Sequence, residues 1–530
     1  MKNFILVIIS GLLLALGWPT YGFPLLLFFG FVPLLLVERQ IRIENGKWQK
    51  WRLFGYSYLA FFIWNFITTN WLQFADVFGA SFAILVNSLL MSILILLYHI
   101  IAKRATVNIS LLFLMCLWMA FEKLHLNWDF SWPWLNLGNG FSEYFKWIQW
   151  YEYTGTFGGT LWVWIVNILV YKLILKYKIS SSVSHLKTEL IVIFSTILMP
   201  ILISLGIYYT YENKGEEVEV VALQPNIDPY SEKYNVPNEE IASLLLNLAD
   251  SKITSKTALV VAPETVFADN IKITQLNEAY FKRKLDVYIS EHPQINILSG
   301  ISFINIIRDK AFVGEQSNYH RNGFWYNDYN SAMFLNKSDS VQLYHKSKLV
   351  VGVETLPYQD ILKPLIGDFM IDLGGTLAMK TTQDYRSVFE TANQDLKVAP
   401  IICYESVYGE FVTGYVRNGA TVLAIITNDA WWGETQGHKQ HLSYARLRAI
   451  ETRRSIVRSA NTGISALINS KGEIESTLPY GTQGALAGKI RVNDNMTFYT
   501  WAGDYIARIA IFIALFVFLI TCFRSKKEIF

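Results

Sequence analysis

The chain has 530 residues, of which 52% are hydrophobic and 17% are charged, whereas soluble domains average about 25% charged residues. A formal net charge of +3, without a long basic run, argues against a nucleic-acid partner. Of the three cysteines, Cys116 and Cys522 lie in apolar runs and Cys403 lies in a polar region, which excludes an intramolecular disulfide framework. The composition therefore indicates a membrane protein that keeps one thiol in a water-soluble part.

Apolar runs of about the length that crosses a bilayer recur along the chain. We predict eight spans, at residues 3–17, 21–37, 53–74, 81–102, 107–124, 157–176, 189–210 and 504–523. The first run could pass for a secretory signal, but it lacks a small-residue cleavage site, so we interpret it as an uncleaved membrane helix. Polar residues inside the spans are predicted to form helix–helix hydrogen bonds, namely Asn65, Asn70, Asn87 and Asn167.

Lysine and arginine residues are concentrated in alternate short loops. They follow the second, fourth, sixth and last spans, at 39–52, 103–104, 172–187 and 524–527. Because basic short loops stay in the cytoplasm, we expect both termini to be cytoplasmic. The polar segment 212–499 should then lie outside the membrane.

The segment 212–499 has the pattern of an α/β domain. Short β-branched runs alternate with amphipathic stretches, which predict helices over 238–252 and 271–291. The runs ALVVAP, VAPIIC and VLAIIT are apolar on both faces, which is typical of central strands that are covered on both sides. We therefore predict three parts: a transmembrane domain of about seven helices at 1–211, an extracytoplasmic α/β domain at 212–499, and a last helix with a cytoplasmic tail at 500–530.

Residues able to carry chemistry follow several of these predicted strands. Glu264 follows ALVVA, Cys403 follows APII, and Asn428 and Asp429 follow LAII and its threonine. In α/β folds, sites gather where strands end. A fourth candidate, Lys346, lies in YHKSKLVVGVE, eight residues before Glu354.

A thiol, a carboxylate that accepts its proton and an ammonium that stabilises an oxyanion form a complete acyl-transfer set. Each residue also has a structural explanation. Cys403 could be buried packing, Glu264 a helix cap and Lys346 an exposed strand residue. Their separations along the chain are too large for spacing alone to bring them together.

His438 and His441 form an H-x-x-H pair. No acidic ligand follows at metalloprotease spacing, so we predict a structural or substrate-contact role. We expect neither a metal nor another cofactor.

Several segments resemble the nitrilase superfamily and, within it, the membrane-bound apolipoprotein N-acyltransferases. The matching segments occur in the family's order, and the resemblance covers essentially the whole chain. They are ALQPNI at 222–227, APETVF around Glu264, YHKSKLVVGVE at 344–354, ICYES around Cys403, TNDAWWG at 427–433 and residues 440–463.

The resemblance implies a nitrilase αββα sandwich outside the membrane. It implies that Glu264 is the general base, Lys346 the electrostatic stabiliser and Cys403 the nucleophile. Supporting roles fall to a second essential carboxylate, two residues that flank the nucleophile and an aromatic residue in the place of the family's usual tryptophan: Glu354, Tyr404, Glu405 and Tyr234. Where the family usually has Pro-Phe-Gly, this chain has VGV at 351–353.

The implied reaction moves a fatty acyl group from a membrane phospholipid, through a Cys403 thioester, to the N-terminal amine of a diacylglyceryl-cysteine apolipoprotein. It places a monomeric enzyme in a bacterial inner membrane, with its catalytic domain on the periplasmic side. Two alternatives stay open: a membrane-tethered amidohydrolase that finishes with water, and a non-enzymatic lipid carrier. The apolar, glycine-containing segment 359–380 is interpreted as a lid over lipid tails or as a packed surface loop.

Overall fold

In the computed structural model, residues 1–180, 186–338, 340–361, 378–392 and 395–523 are described. Most of the proposed lid, residues 362–377, and the basic tail at 524–530 lie outside the described residues. The chain forms two compact units. One contains Met1–Gln73, Val77–Tyr211 and Ala502–Phe530, and the other contains Phe74–Asp76 and Glu212–Trp501.

The first unit is helical. Its helices before residue 211 are α1 (Lys2–Leu16), α2 (Leu27–Gly30), α3 (Val32–Glu44), α4 (Gln49–Thr69), α5 (Val77–Ala102), α6 (Val107–His125), α7 (Tyr151–Thr154), α8 (Thr156–Ser180) and α9 (Lys187–Thr210). A last helix, Tyr505–Phe523, returns to this unit near the C-terminus.

Six helical segments among the described residues are long and apolar enough to cross a membrane. They are Pro24–Glu44, Val77–Ala102, Val107–His125, Thr156–Lys178, Lys187–Thr210 and Tyr505–Phe523. Every predicted span coincides with helix, but α1 has only 15 residues and α4 is not among the six. The protein is therefore a membrane protein, and the count of eight spans stays a prediction.

Hydrogen bonds between the helices use three of the polar residues singled out in the sequence. The Asn87 Nδ2 atom donates to Asn65 Oδ1 at 2.7 Å, which joins α5 to α4. Asn167 of α8 donates to the carbonyl of Leu27 at 2.8 Å and accepts from the Phe31 N–H at 3.0 Å. For these three residues the predicted helix–helix role is confirmed, since apolar surroundings offer such groups no water.

The second unit contains fourteen strands among the described residues. In chain order they are β1 (Glu217–Gln224), β2 (Thr257–Val261), β3 (Phe267–Lys272), β4 (Asn296–Ile307), β5 (Asn318–His320), β6 (Phe324–Leu335), β7 (Gln342–His345), β8 (Phe389–Glu390), β9 (Lys397–Ile402), β10 (Val422–Thr427), β11 (Ser455–Ala460), β12 (Ser465–Ile468), β13 (Ile474–Leu478) and β14 (Gly484–Arg491). Its helices are α10 (Asn238–Asp250), α11 (Tyr280–Glu291), α12 (Gly409–Arg417), α13 (Gln436–Thr452) and α14 (Phe498–Ala502).

These strands form two sheets. The first has the order β14-β1-β2-β4-β6-β5, with β3 beside β4 and β7 beside β6, and β1, β2 and β4 run parallel. The second has the order β13-β12-β11-β10-β9-β8, with β9, β10 and β11 parallel at its centre. The apolar runs predicted to be central strands are β2, β9 and β10, and their residues are almost entirely buried.

The two sheets face each other, and helices cover their outer faces. Ser459 of β11 donates to the carbonyl of Leu223 in β1 at 2.7 Å, so these strands are in direct contact. Helices α10 and α11 bury apolar residues against the first sheet, and α12 and α13 contact the second. This arrangement is the predicted αββα sandwich of the nitrilase superfamily.

The predicted helix over 271–291 begins too early. Residues Phe267–Lys272 form β3, which pairs in parallel with β4, and α11 begins only at Tyr280. Pairing with an existing sheet outweighs the local amphipathic pattern. Five strands are missing from the prediction, namely β3, β5, β8, β11 and β13.

Candidate active site

The ends of strands from both sheets meet at one site. Glu264 lies three residues after β2, Lys346 follows β7 directly, and Cys403 follows β9 directly. Asn428 follows β10, and its backbone N–H donates to Glu264 Oε2 at 3.2 Å. Residues far apart in the sequence are therefore brought together because their strands end at the same place.

Lys346 bridges two carboxylates. Its Nζ atom lies 2.9 Å from Glu264 Oε1 and 3.0 Å from Glu354 Oε2, and the residue is only 1% exposed. Burial alone would lower the pKa of Lys346, but the two carboxylates outweigh burial and hold it well above its usual value. Burial would likewise raise the pKa of Glu264, yet Lys346 brings it below its usual value. Lys346 and Glu264 are therefore both charged at neutral pH.

Asn330 orders the carboxylate pair. Its Nδ2 atom donates to Glu264 Oε1 at 2.8 Å and to Glu354 Oε1 at 2.9 Å. The Val350 backbone N–H donates to Glu354 Oε2 at 2.9 Å. Asn330 was not predicted from the sequence, because β6 also contains Asn327 and Asp328 and nothing local distinguishes Asn330 from them.

Cys403 adopts a left-handed backbone conformation, with φ of +50°. A residue with a side chain is strained there, and such strain is concentrated at functional sites. Burial raises the pKa of the Cys403 thiol and Glu264 raises it further, while Lys346 opposes both. The resting thiol is therefore protonated, and it needs a base before it can act as a nucleophile.

A hydrogen-bonded network holds the backbone of Cys403. The Ser406 hydroxyl donates to the Cys403 carbonyl at 2.7 Å, and His441 Nε2 lies 3.0 Å from the same hydroxyl oxygen. His441 Nδ1 lies 3.0 Å from Asp429 Oδ1, and Arg458 pairs with the other oxygen of Asp429. Burial would raise the pKa of Asp429, but Arg458 and His441 bring it far below its usual value. The network therefore carries a permanent carboxylate.

Cys403, Asp429 and His441 also form a group whose possible metal-ligand atoms lie within 4.8 Å of one another. Asp429 is, however, already bound to the buried guanidinium of Arg458. This donor set suits a hydrogen-bonded network better than a cation site. His438, the other member of the H-x-x-H pair, stacks on Tyr480 with a ring separation of 4.5 Å.

Glu405 ties the loop that carries Lys346 to the nucleophile turn. Its Oε1 atom accepts from the Tyr344 hydroxyl at 2.6 Å and from the Ser347 N–H at 2.7 Å, and its Oε2 atom accepts from the Ile402 N–H at 2.8 Å. Burial raises the pKa of Glu405 to about 7. The side chain is fully buried, so its contacts are structural ones that fix the geometry of the site.

The two remaining predicted residues lie at the edges of this arrangement. Tyr404 is 7% exposed and packs edge-on against Tyr408, with a ring separation of 5.2 Å. Tyr234 is 40% exposed, and its ring contacts the ammonium of Lys233. The structure thus brings Glu264, Lys346 and Glu354 into direct contact, while the chemical roles of the predicted residues stay predictions.

The Carbon-nitrogen hydrolase family matches residues 220–495, more than half of the chain. The chain therefore belongs to this family. The Apolipoprotein N-acyltransferase N-terminal domain matches residues 10–169 as well, so similarity extends into the helical unit.

Curated relatives match both units together. An apolipoprotein N-acyltransferase of Chlorobaculum tepidum is 27% identical over 99% of this chain and 97% of its own length. One from Geobacter metallireducens is 24% identical over 96% of this chain and 92% of its own length. Among solved structures, an amidase from Nesterenkonia sp. is similar at 14% identity, and the match covers 56% of this chain and 97% of the amidase with a TM-score of 0.38.

Proposed function

We propose that this protein transfers a fatty acyl group from a membrane phospholipid to the N-terminal amine of a diacylglyceryl-cysteine apolipoprotein. The observation that carries the proposal is the ion-paired Glu264–Lys346–Glu354 cluster, of which Glu264 and Lys346 influence the pKa of the strained Cys403. Two relatives named apolipoprotein N-acyltransferase match nearly the whole chain, which supports this acceptor. A helical unit with six potential membrane spans supports lipid substrates.

In the first half-reaction, Glu264 accepts the thiol proton and the Cys403 sulfur attacks the carbonyl carbon of a phospholipid ester. The Lys346 ammonium stabilises the oxyanion of the tetrahedral intermediate. When that intermediate collapses, the C–O ester bond breaks and Glu264 returns the proton to the departing alkoxide. The products are an acyl thioester on Cys403 and a lysophospholipid.

In the second half-reaction, the free amine of the apolipoprotein attacks the thioester carbonyl. Glu264 removes a proton from the attacking nitrogen, and Lys346 again stabilises the oxyanion. The C–S bond breaks, an amide forms, and the thiol recovers its proton from Glu264. Atoms balance without water and without a redox partner.

The amidohydrolase alternative uses the same three residues but ends with water. The lipid-carrier alternative needs no nucleophile, so it gives no reason for a strained, partly buried cysteine at a site with an ion-paired carboxylate. The helical unit favours the transferase, since a soluble substrate would need no more than a tether.

To test the proposal, purified protein in detergent is incubated with acyl-labelled phospholipid, with and without a diacylated lipopeptide. We expect label on the lipopeptide amine, and the Cys403→Ala variant should not transfer it. The Cys522→Ala variant, which alters an exposed cysteine of the last helix, is the matched control. Label released only as free fatty acid would favour the hydrolase, and absence of any turnover would favour the carrier.

A further inference from the structure

Lys233 is a buried lysine for which the mechanism above has no use. It lies between β1 and α10 and is 9% exposed. Its Nζ atom lies 5.3 Å from the ring centroid of Trp431 and 5.4 Å from that of Tyr234. Burial lowers the pKa of Lys233 to about 8, although Glu264 and Glu354 oppose the effect. The side chain is therefore still mostly a cation at neutral pH.

The charges of the site do not balance without this lysine. Glu264 and Glu354 share the single ammonium of Lys346, which leaves one negative charge in a desolvated place. An unbalanced buried charge is costly. Lys380 is another nearby lysine, but its ammonium pairs with Asp328 at 2.8 Å and so does not balance this charge.

The loop after β10 connects Lys233 to Glu264, because the ammonium contacts Trp431, and Asn428, three residues earlier, donates its backbone N–H to Glu264 Oε2 at 3.2 Å. Lys233 is among the groups that lower the pKa of Glu264, after Lys346. In turn, the charged groups that act on Lys233 are Glu264, Lys380, Glu354 and Lys346. Lys233 thus belongs to the same electrostatic cluster as the proposed base.

The segment that carries Lys233 is held in place. The Asn461 side chain accepts from the Ile227 N–H at 3.0 Å and donates to its carbonyl at 2.7 Å, which anchors the chain after β1. The Lys233 N–H donates to the carbonyl of Asp228 at 3.0 Å. The Tyr234 and Trp431 rings contact the ammonium, and such cation–π contacts offset part of the lost hydration.

We propose that Lys233 is a positioning residue of this site, a second ammonium that balances the carboxylates of Glu264 and Glu354 and so keeps Glu264 in the ionised form that accepts the Cys403 proton. The inference rests on the proposed function only in taking Glu264 as the base. In this proposal, Tyr234 has the function of stabilising the Lys233 ammonium through its cation–π contact.

The test measures how fast Cys403 reacts with methyl methanethiosulfonate between pH 4 and pH 9, followed by mass spectrometry of the peptide that contains Cys403. Loss of a neighbouring cation raises the pKa of a carboxylate, so Lys233→Met should move the acid limb of this profile upward by about one pH unit. Lys233→Arg should keep the limb near its original position. Lys282→Met is the matched control, because Lys282 is 8% exposed and pairs with Asp286 outside the site.

A structural defect alone would lower the rate by the same factor at every pH. Such a uniform loss, or a profile that superimposes on that of the unaltered protein, would overturn the proposal. If Lys233→Met does not fold, Lys233→Gln is measured against the same criteria. The reagent needs no lipid, so a shifted limb together with failed acyl transfer to the lipopeptide would retain the role of Lys233 and reject the proposed function.

Discussion

Lys346 is the residue on which the charge distribution of the site depends. Its ammonium holds two carboxylates that would otherwise repel each other, and the residue is almost completely buried. In the proposed mechanism the same ammonium stabilises the oxyanion. One side chain thus sets the geometry of the base and provides electrostatic stabilisation.

Replacing Lys346 by methionine should slow the formation of the acyl adduct at least about 100-fold, because the oxyanion loses its cation. Lys346→Arg should rescue little, since a planar guanidinium does not reproduce a compact ammonium between two carboxylates. Single-turnover measurement of adduct formation checks both variants, with Lys282→Met as the control. Adduct formation at the unaltered rate in Lys346→Met would exclude an electrostatic role for this lysine.

At the scale of elements, the approach of β4 to the end of β2 positions Glu264. Gly300 of β4 makes this possible, since an added Cβ atom would lie 2.2 Å from the Thr265 nitrogen and 2.6 Å from the Glu264 Cα atom. These neighbours are backbone atoms, so they cannot yield as a flexible side chain would. The position therefore requires glycine because of close approach.

Gly300→Ala should lower both stability and adduct formation, because the strand end that carries Glu264 must shift. Overpacking of this kind costs typically about 1–3 kcal/mol. Thermal denaturation and the single-turnover assay measure the two effects. Gly314→Ala is the control, since nothing lies within 4 Å of its added Cβ atom. Equal behaviour of the two variants would show that β4 does not constrain Glu264.

His345, the last residue of β7, makes stability depend on pH. Its ring stacks on Tyr329 at 4.2 Å, its Nδ1 atom lies 2.7 Å from the Ser331 hydroxyl oxygen, and burial lowers its pKa to about 4. The unfolded chain takes up a proton near pH 6.5, whereas the folded protein takes it up only near pH 4. Stability that is fully present above pH 6.5 should therefore be lost as the pH falls towards 4.

His345→Gln should remove about 2 kcal/mol of this pH-dependent change, a value reduced from the full shift because the ring is partly exposed. Chemical denaturation at a series of pH values between 4 and 7.5 provides the measurement. His292→Gln, at the end of α11, is the control. An unchanged slope in His345→Gln would show that another group governs the acid side.

Only the local features of the fold and of the site could be predicted from the sequence. Strands that end in Glu264 and Cys403 could be predicted, since continuous apolar runs and the residues after them are local features. Asn330, Arg458 and Lys233 could not, because their importance arises from partners that are distant in the sequence. The early start predicted for α11 has the same origin, because β3 forms only by pairing with β4.

At the scale of the whole molecule, each unit has its own kind of core. The helical unit exposes apolar surface. Only 6% of the apolar stretch of α9 is buried, which is consistent with contact with lipid. The sandwich unit buries charged residues in hydrogen-bonded networks, including Arg458 and Glu405. One chain thus combines a membrane part with an α/β unit that holds a cluster of buried charged residues.

The loop charges predict that residues 212–499 lie outside the cytoplasmic membrane and that both termini lie inside. A cysteine at the exposed Ser251 should react with an impermeant maleimide in intact spheroplasts, whereas one at the exposed Arg104 should react only after permeabilisation. Both variants are made in a chain whose native cysteines are replaced by serine. The opposite labelling pattern would reverse the proposed orientation.

The central claim is that Cys403 carries the acyl group during transfer. The most direct measurement is mass spectrometry of the peptide that contains Cys403, after the protein has been incubated with phospholipid alone and before any acceptor is added. We predict a mass increase of one fatty acyl group on Cys403 that hydroxylamine removes and that a diacylated lipopeptide discharges. An acyl group found on another residue, or undiminished transfer by the Cys403→Ala variant, would contradict the account.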